Sequence, residues 1–596
     1  MRHALCILGF LLAFVHTSAQ EVLKNSEQVK GFQRISQERV FLHLNTSLLL
    51  TGEYLYYKLY CFKVTEGDLS DISKVAYIEL VGKEDKQVFK HKIRLEEGQG
   101  YGDFFIPTSV PSGSYKLLGY THWMRNGSLS DFFQADITII NPYQSDQTGI
   151  QVANSVTTDS ISDYRMNVSS TTRNDLNNLS NSGPLELSLL KSTFKKRTKV
   201  SFMLKGKNKI LNVGGDYSIS VRKKDSLQGS IPPRSFELIK PNNHIEIGYK
   251  QGQGQNVYLP ELRGELFCGK VEAVNNDYRL NNLKVAVSLP GEHSFFDVVV
   301  TNSSGRFCFN IPGDYSGEQM VFQVISDHPE RYLVSLRRRD QLDYGKLRFD
   351  QVDINSSLKN EILKRSIHNQ IENSYFQFRP DSIASKSVKQ LFDNKERKEF
   401  LLDDFTRFKT FKEVILEIVK NVSAQRIGKD DYVIKVKGYD YAARSELLPL
   451  IVLDGCIVQD HNALLQYDAR TIEKITVLQH KLVFGPEVFL GVLLIETKNG
   501  NGYELLQNNS RASVTTIFKP QSRKNYFVQN HQQGGSNSRL PDDRLQLFWM
   551  PKFRLDSTIQ AIDFYTSDVA GEFEIQIEGF TDENIPVSIR KSIFVE

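Results

Sequence analysis

Short runs in which apolar and polar positions alternate, each closed by Gly, Pro, Asn or Asp, dominate this chain. Alternation with a period of two marks a half-buried strand, and closely spaced strands with turn signals between them build sandwiches. Residues 35–142 form the first block. Arg39-Val-Phe-Leu-His-Leu44, Leu55-Tyr-Tyr-Lys-Leu-Tyr-Cys-Phe62, Ala76-Tyr-Ile-Glu-Leu80, Tyr115 to Tyr120 and Ile137-Thr-Ile-Ile140 read as its strands. From 143 to 183, 19 of 41 residues are Ser, Thr or Asn, which predicts a polar linker. Residues 184–258 return to strands, with Leu185-Glu-Leu-Ser-Leu-Leu190 and Tyr217-Ser-Ile-Ser-Val221. A third sandwich is expected over 262–328, where Asn302-Ser-Ser-Gly305 turns into Arg306-Phe-Cys-Phe-Asn-Ile311.

The period then changes. Leu363, Ile367 and Ile371 recur every four residues, so the charged segment 329–400 should carry a connecting helix. Thr410-Phe-Lys-Glu413 is a capping box, and Phe411, Ile415 and Ile418 follow on one face. Strands Tyr432-Val-Ile-Lys-Val436, Leu448-Pro-Leu-Ile-Val-Leu453, Ile475-Thr-Val-Leu478 and Gly491 to Thr497 complete a small α/β domain over 401–505. A polar stretch, 506–543, precedes a β segment at 544–596. The fold class is therefore mainly β: tandem immunoglobulin-like β-sandwiches with one small α/β domain.

Composition sets bounds on this picture. The 596 residues are 40% hydrophobic and 24% charged, an ordinary globular balance, and 74 basic against 70 acidic residues leave too little charge for nucleic-acid binding. Arg2 and His3, the apolar run Ala4 to Val15 and the small residues Thr17-Ser-Ala19 describe an export signal over 1–19. No other run is long and apolar enough for a membrane helix, so an exported chain without a transmembrane segment is expected. Of five cysteines, Cys268 and Cys308 sit in two strand-like runs of one block and form the candidate disulfide, with two buried thiols as the alternative.

Chemistry is sparse. There is no HExxH, GxSxG or Walker loop, and no cysteine or histidine spacing fits a metal. Gly98-Gln-Gly-Tyr-Gly102 opens no helix and reads as a turn. No catalytic, cofactor-binding or metal-binding residue is assigned, and the chain is expected not to be an enzyme. Tyr54, Tyr56, Tyr57 and Tyr60 crowd one strand, either as a sticky face or, by the ordinary use of aromatics in strands, as core.

Pro449-Leu-Ile-Val-Leu-Asp454-Gly455, Ile472-Glu-Lys-Ile475, Phe484-Gly485 and Gly491-Val-Leu-Leu-Ile-Glu-Thr497-Lys-Asn-Gly500 resemble, in that order, the plug domain of TonB-dependent outer-membrane receptors. Val40-Phe-Leu-His-Leu-Asn45, Gly52-Glu53, Gly113-Ser-Tyr115, Tyr120-Thr-His-Trp123 and Ile140-Asn-Pro142 resemble the second macroglobulin domain of the alpha-2-macroglobulin superfamily. Residues 262–312, through Gly264 and Ser304-Gly-Arg-Phe307, look like a carboxypeptidase-regulatory-like sandwich, and the 544–596 tail also has a macroglobulin-like look. The combination is similar to exported proteins of the Bacteroidota. Asn45, Leu50, Cys456 and the Pro486–Leu490 insert depart from the usual family forms. The thioester of macroglobulins is absent from the sequence, and the 96 residues after Gly500 are too few for a receptor barrel of about 22 strands.

The resemblance implies a non-enzymatic periplasmic interaction or scaffold protein on an outer-membrane transport, secretion or assembly complex, its partner an outer-membrane β-barrel. Two alternatives are a plug acting in trans to gate a separately encoded barrel, and a thioester-less surface protein that binds peptidases. It also implies O-glycosylation at Asp-Ser sites, namely Ser160, Ser382 and Ser557.

Overall fold

A computed structural model describes residues 20–22, 34–145, 147, 149–153, 181–207, 213–227, 235, 256–275, 278–291, 293–326, 328–337, 341–350, 352–384, 392, 397–438, 446–507, 512–532, 539–555 and 559–596. The expected export signal, the middle of the 143–183 linker, Ser160 and Ser557 lie outside them. The protein is mainly β and divides into two compact units. One holds Arg263–Gln341 and Lys386–Pro520, with Met1–Glu21; the other holds Val22–Leu262, Leu342–Ser385 and Gln521–Glu596.

The larger unit contains two sandwiches. In the first, Glu38–Leu44, Tyr54–Lys63 and Gln99–Phe105 form one sheet. Leu48–Leu50, Phe133–Ile140, Gly113–Thr121, Val75–Gly82 and Gln87–Arg94 form the other. Val40, Leu42, Leu55, Leu59, Ile78, Leu117 and Ile137 fill the space between them. The alternation seen in the sequence predicts strands wet on one face. Tyr54–Lys63 and Val75–Gly82 are instead buried along most of their length, because other parts of the unit cover their outer faces. Tyr344 and Gln87, for example, both reach the buried Glu79 carboxylate.

The second sandwich is built from two stretches that read as separate modules in the sequence. Strand Gly215–Lys223 pairs on one side with Gln546–Leu555 and on the other with Gly571–Thr581, which continues to Pro586–Val595. Leu185–Leu189, Lys199–Gly206 and Ile559–Tyr565 make the opposing sheet. The strands read over 184–258 are too few to cover both sides of a core, and 544–596 supplies the rest. One hydrophobic cluster, with Val200, Phe202, Ile219, Leu555, Phe564, Ile577 and Ile589, spans both stretches.

In the smaller unit, Arg306–Ile311, Glu265–Ala273 and Tyr332–Leu336 face Phe295–Val300, Lys284–Leu289, Gln319–Ile325 and Ala512–Thr516. The Asn302 side chain accepts from the Ser304 and Arg306 amides, and Gly305 follows with φ +74°, which fixes the turn anticipated there. The α/β part is a sheet in the order Lys398–Leu401, Ile472–Phe484, Glu487–Thr497, Leu450–Leu453, Cys456–Ile457. Helix Phe411–Glu417 starts at the capping box: Thr410 accepts from the Glu413 amide, and Glu413 accepts from the Thr410 amide at 2.8 Å.

Cys268 and Cys308 stand directly opposite each other on adjacent antiparallel strands, Cα atoms 4.1 Å apart, and are joined by a disulfide. Cys61 and Cys456 are buried free thiols. The bridge closes a loop with a sequence separation of 40 residues, which in the chain-entropy model is worth about 4 kcal/mol at most. We expect Cys308→Ser to destabilise the smaller unit by up to about that amount. Mass spectrometry after alkylation without reductant in denaturant should label Cys61 and Cys456 but neither Cys268 nor Cys308.

Candidate functional site

The larger unit hides a cluster of charges that the sequence does not announce. Glu53 follows the turn at Thr51-Gly52 and points inward. Arg365, from helix Lys359–Ser374, grips it with Nε at 2.7 Å and Nη2 at 2.8 Å. Arg222 Nη2 adds a third bond at 2.9 Å, and the Leu50 amide a fourth at 3.1 Å. Arg365 also reaches Asp225 Oδ2 at 3.1 Å and the Leu48 carbonyl at 2.9 Å. Burial works to raise the Glu53 pKa, but the two guanidiniums and the amide outweigh it and hold the group down at about 2. Residues distant in sequence are thus tied by one fully satisfied buried ion network.

The helix expected in 329–400 forms over Lys359–Ser374, and this network sets which of its faces is buried. Leu363 and Ile367 are 57% and 47% exposed, and the helix docks through Ile362, Arg365, Ser366 and Asn369. Asn369 and Asn373 donate to the Thr51 and Gly52 carbonyls, each at 2.9 Å. His368 Nδ1 lies 2.6 Å from Asp543. Residues two apart on a helix lie on opposite sides, so a row at 363 and 367 and an anchor at 365 cannot both face inward. The anchor wins because an abandoned Glu53 would be a buried, unpaired charge.

Beside the network opens a cavity of about 120 Å³. Tyr54 and Tyr56 sit on the same face of their strand, with rings 5.6 Å apart. Phe376, just past the helix, stacks on Tyr54 at 5.9 Å, and Trp549 stacks on Tyr56 at 5.7 Å. Tyr526 meets Tyr56 edge-on at 5.2 Å and donates to Asp103. On the polar side Arg379 bridges Glu372 and the Pro541 carbonyl. Arg544 grips Asp542 with two bonds of 2.7 Å, which, with His531, keeps that carboxyl well below its usual range despite burial. Asp381 accepts the Phe527 amide at 2.9 Å, and burial raises its pKa. Trp549 is only 4% exposed, and its indole N–H has no hydrogen-bond partner among the described residues.

The tyrosine-rich strand therefore splits its roles. Tyr57 points into the first sandwich, whereas Tyr54 and Tyr56 line the cavity. Tyr60 lies in the seam between sandwiches, 3.4 Å from Ser218 Oγ, where His43 Nδ1 also meets Ser218 at 2.7 Å. Burial, reinforced by Arg590, lowers the His43 pKa to about 3 and keeps it neutral. Lys58 is buried over the Tyr60 and Tyr101 rings, and desolvation lowers its pKa to about 7.

The residues of the plug-like motif gather in the smaller unit as a folding device. Asp454, at φ +46°, accepts from the Thr497 and Gly502 amides at 2.8 and 2.7 Å and from the Thr497 hydroxyl. The Asp454-Gly455 turn is thereby clasped to the end of Glu487–Thr497. Gly491 has φ +86°, and a Cβ there would meet Val436 at 2.6 Å. Gly485 turns the long hairpin with φ +57°, and a Cβ would lie 2.4 Å from the Val298 carbonyl. Gly500 follows Thr497 in open space. The Cys456 and Cys61 thiols are buried and pushed up by desolvation. Ser382 is exposed on the short strand Ser382–Ile383. Among the described residues no group of three or more His, Cys, Asp or Glu is placed to hold a metal ion, and no helix is long and apolar enough to cross a membrane.

No protein-family model matches this chain, and no curated protein is significantly similar to it. Among solved structures it is similar to an Escherichia coli alpha-2-macroglobulin activated by porcine elastase, at 6% identity and TM-score 0.23, over 94% of this chain and 44% of that one. It is likewise similar to the native E. coli protein, at 10% identity and TM-score 0.23, over 94% and 40% of the two chains. The Salmonella protein reacted with methylamine matches at 9% identity and TM-score 0.23, over 94% and 39%. The chain thus spans less than half the length of these proteins.

The ion network carries a pH signature. Because folding lowers the Glu53 pKa from 4.5 to about 2, its contribution is present above about pH 4.5 and is lost as pH falls toward 2. That contribution is about 3 kcal/mol. Arg365→Ala should cost about 3–5 kcal/mol at neutral pH and flatten the acid limb of the stability curve, read by denaturant unfolding at a series of pH values.

Proposed function

We propose that this chain is a non-enzymatic interaction or scaffold protein of the bacterial periplasm, attached to an outer-membrane transport, secretion or assembly complex through a β-barrel partner. The observation that carries this reading is the packing of the plug-like domain within the smaller unit. Leu450, Val452, Ile457, Leu478 and Val492 share one hydrophobic core with Ala286, Phe296 and Val298 of the neighbouring sandwich. The Ile457 amide donates to Ser288 Oγ at 3.0 Å, and Gln323 donates to the Ile457 carbonyl at 2.6 Å. One face of the plug-like sheet is therefore occupied by its own chain. Such a module suits presentation on a scaffold better than insertion into a barrel in trans.

Its other surfaces supply contacts of the kind partners use. Lys398–Leu401 is an edge strand of the sheet, with Leu401 49% exposed, and the hairpin places Val483, 71% exposed, beside its tip. Open edges and isolated apolar side chains on a rigid sheet recruit partners by strand addition and by filling a pocket. Macroglobulin-like and regulatory-like sandwiches fit the same role as spacers. Peptidase binding remains the secondary expectation of the macroglobulin resemblance, and no described contact favours it.

Affinity capture of the tagged full chain from crosslinked, detergent-solubilised envelopes should recover a β-barrel protein. The double variant Leu401→Glu/Val483→Glu should keep its unfolding midpoint, since exposed substitutions of this kind change stability by about 0.5 kcal/mol or less. It should recover at least about 10-fold less partner, a loss of about 1.4 kcal/mol. A chain that is always solitary would sink the proposal.

A further inference from the structure

We infer that Asn499-Gly500, in the turn after strand Glu487–Thr497, is a self-modification site, where the Gly500 backbone nitrogen attacks the Asn499 side chain and converts it to aspartate and isoaspartate. The inference is independent of the barrel partner proposed above. It rests on how differently the fold treats three copies of one reactive pair.

The chemistry needs only the chain and water. The glycine nitrogen attacks Cγ of the preceding asparagine, and the new C–N bond closes a five-membered imide. The Cγ–Nδ2 bond breaks, and ammonia leaves with the proton that the glycine amide gives up. Water then opens the imide at either carbonyl. One opening leaves aspartate; the other leaves isoaspartate, whose side-chain methylene enters the main chain. Glycine in second place favours the attack because no Cβ crowds its nitrogen. Two groups must be free to react: the asparagine side chain, which swings over its own backbone, and the glycine N–H, which leaves its acceptor.

The chain contains three such pairs, Asn126-Gly127, Asn499-Gly500 and Asn501-Gly502, and the fold blocks two of them. Asn126 is held at both ends of its amide. Its Nδ2 donates to the Trp123 and Tyr258 carbonyls at 2.9 and 2.8 Å, and its Oδ1 accepts the Tyr258 amide at 2.8 Å. The Gly127 amide is also engaged, by the Met124 carbonyl at 3.0 Å. In the Asn501 pair the nucleophile is the blocked group: Gly502 is buried, and its amide donates to Asp454 Oδ2 at 2.7 Å. Bonds to an ionised acceptor are about twice as strong as neutral ones, so this amide is costly to release.

Asn499-Gly500 has neither block. Both residues are exposed, and the Asn499 side chain makes no hydrogen bond among the described residues. The Gly500 amide has one long bond, 3.3 Å to the Thr497 carbonyl. A Cβ on Gly500 would meet nothing within 4 Å, so an imide ring has room to form. The position also gives the reaction a consequence. Asp454 holds the amides of both Thr497 and Gly502, so the pair lies inside the loop that this carboxylate clasps. Isoaspartate inserts a main-chain atom between those two fixed points.

The native full chain should be incubated in mildly alkaline buffer made with heavy-oxygen water, which marks conversions that precede digestion. The three peptides are then compared by mass spectrometry, with aspartyl and isoaspartyl forms separated by chromatography. Asn499 should convert at least about 10-fold faster than Asn126 and Asn501, a barrier difference of about 1.4 kcal/mol, with isoaspartate among the products. In denaturant, where neither hold survives, the three pairs should react at similar rates. Asn499→Gln, which would have to close a larger ring, should abolish the fast reaction and leave the other two sites and the unfolding midpoint unchanged. Equal rates at the three sites of the native chain overturn the inference, as does faster conversion at Asn126 or Asn501. So does an Asn499 that converts in denaturant but not in the native chain, or that yields aspartate without isoaspartate.

Discussion

The carboxylate of Glu53 is the point on which the larger unit is hung. It is buried, and removing a charge from water costs several kcal/mol unless its lone pairs are met. Here they are met from three directions: a turn amide, an arginine on a strand of the second sandwich, and an arginine on a helix that arrives more than three hundred residues later in the chain. None of those contributors is locally required to be where it is. A hydrophobic surface tolerates many docking angles, whereas two guanidiniums on one carboxylate accept very few. The cluster thereby specifies how the helix and the two sandwiches meet.

The cavity follows from that geometry. Tyr54 is the next residue after Glu53, and Tyr56 repeats its face, so the anchor that fixes Glu53 also fixes both rings. The helix held by Arg365 ends near Phe376, which lands on Tyr54, and then brings Arg379 to Glu372 and Pro541. Trp549 arrives on the strand beside Gly215–Lys223, which also carries Arg222. Rigid neighbours thus hold aromatic groups in place around a space they do not fill, as a preorganised site requires.

How much of this could be read from the residues alone depends on which force decides each feature. Periodicity and turn chemistry found the strands, the capping box at Thr410 and the Asn302 turn, because local preferences and burial agree there. The mainly β class followed from the same signals. Partnership was harder. That Gly215–Lys223 lies between strands from beyond residue 545 is a long-range choice with no local mark. The helix was legible as a helix, but its buried side was not, because the row of Leu363 and Ile367 outweighs Arg365 on any hydrophobicity scale while a remote carboxylate decides the outcome. For the same reason the cavity was half legible. Tyr54 and Tyr56 stood out as aromatic residues, yet only tertiary structure separates them from Tyr57, and nothing near Trp549 signals an unmet N–H.

The two units also show what kind of polar residue deserves a functional reading. In the smaller unit Asp454 and Thr497 are the most motif-like polar residues in the chain, yet their hydrogen bonds close on one another and on the Gly502 amide. A residue whose capacity is consumed in holding a turn explains its own presence by folding. The same holds for Glu53 and Arg365, whose removal would unfold before it would unbind. Trp549, Tyr54, Tyr56 and the second oxygen of Asp381 differ in that the fold buries or half-buries them without completing them. Burying a donor without a partner costs stability, and the Trp549 N–H, closed off from the cavity beside it, carries that cost. Chemistry is therefore best sought where hydrogen-bonding capacity is both left over and within reach, as it is at Asn499 and is not at Trp549.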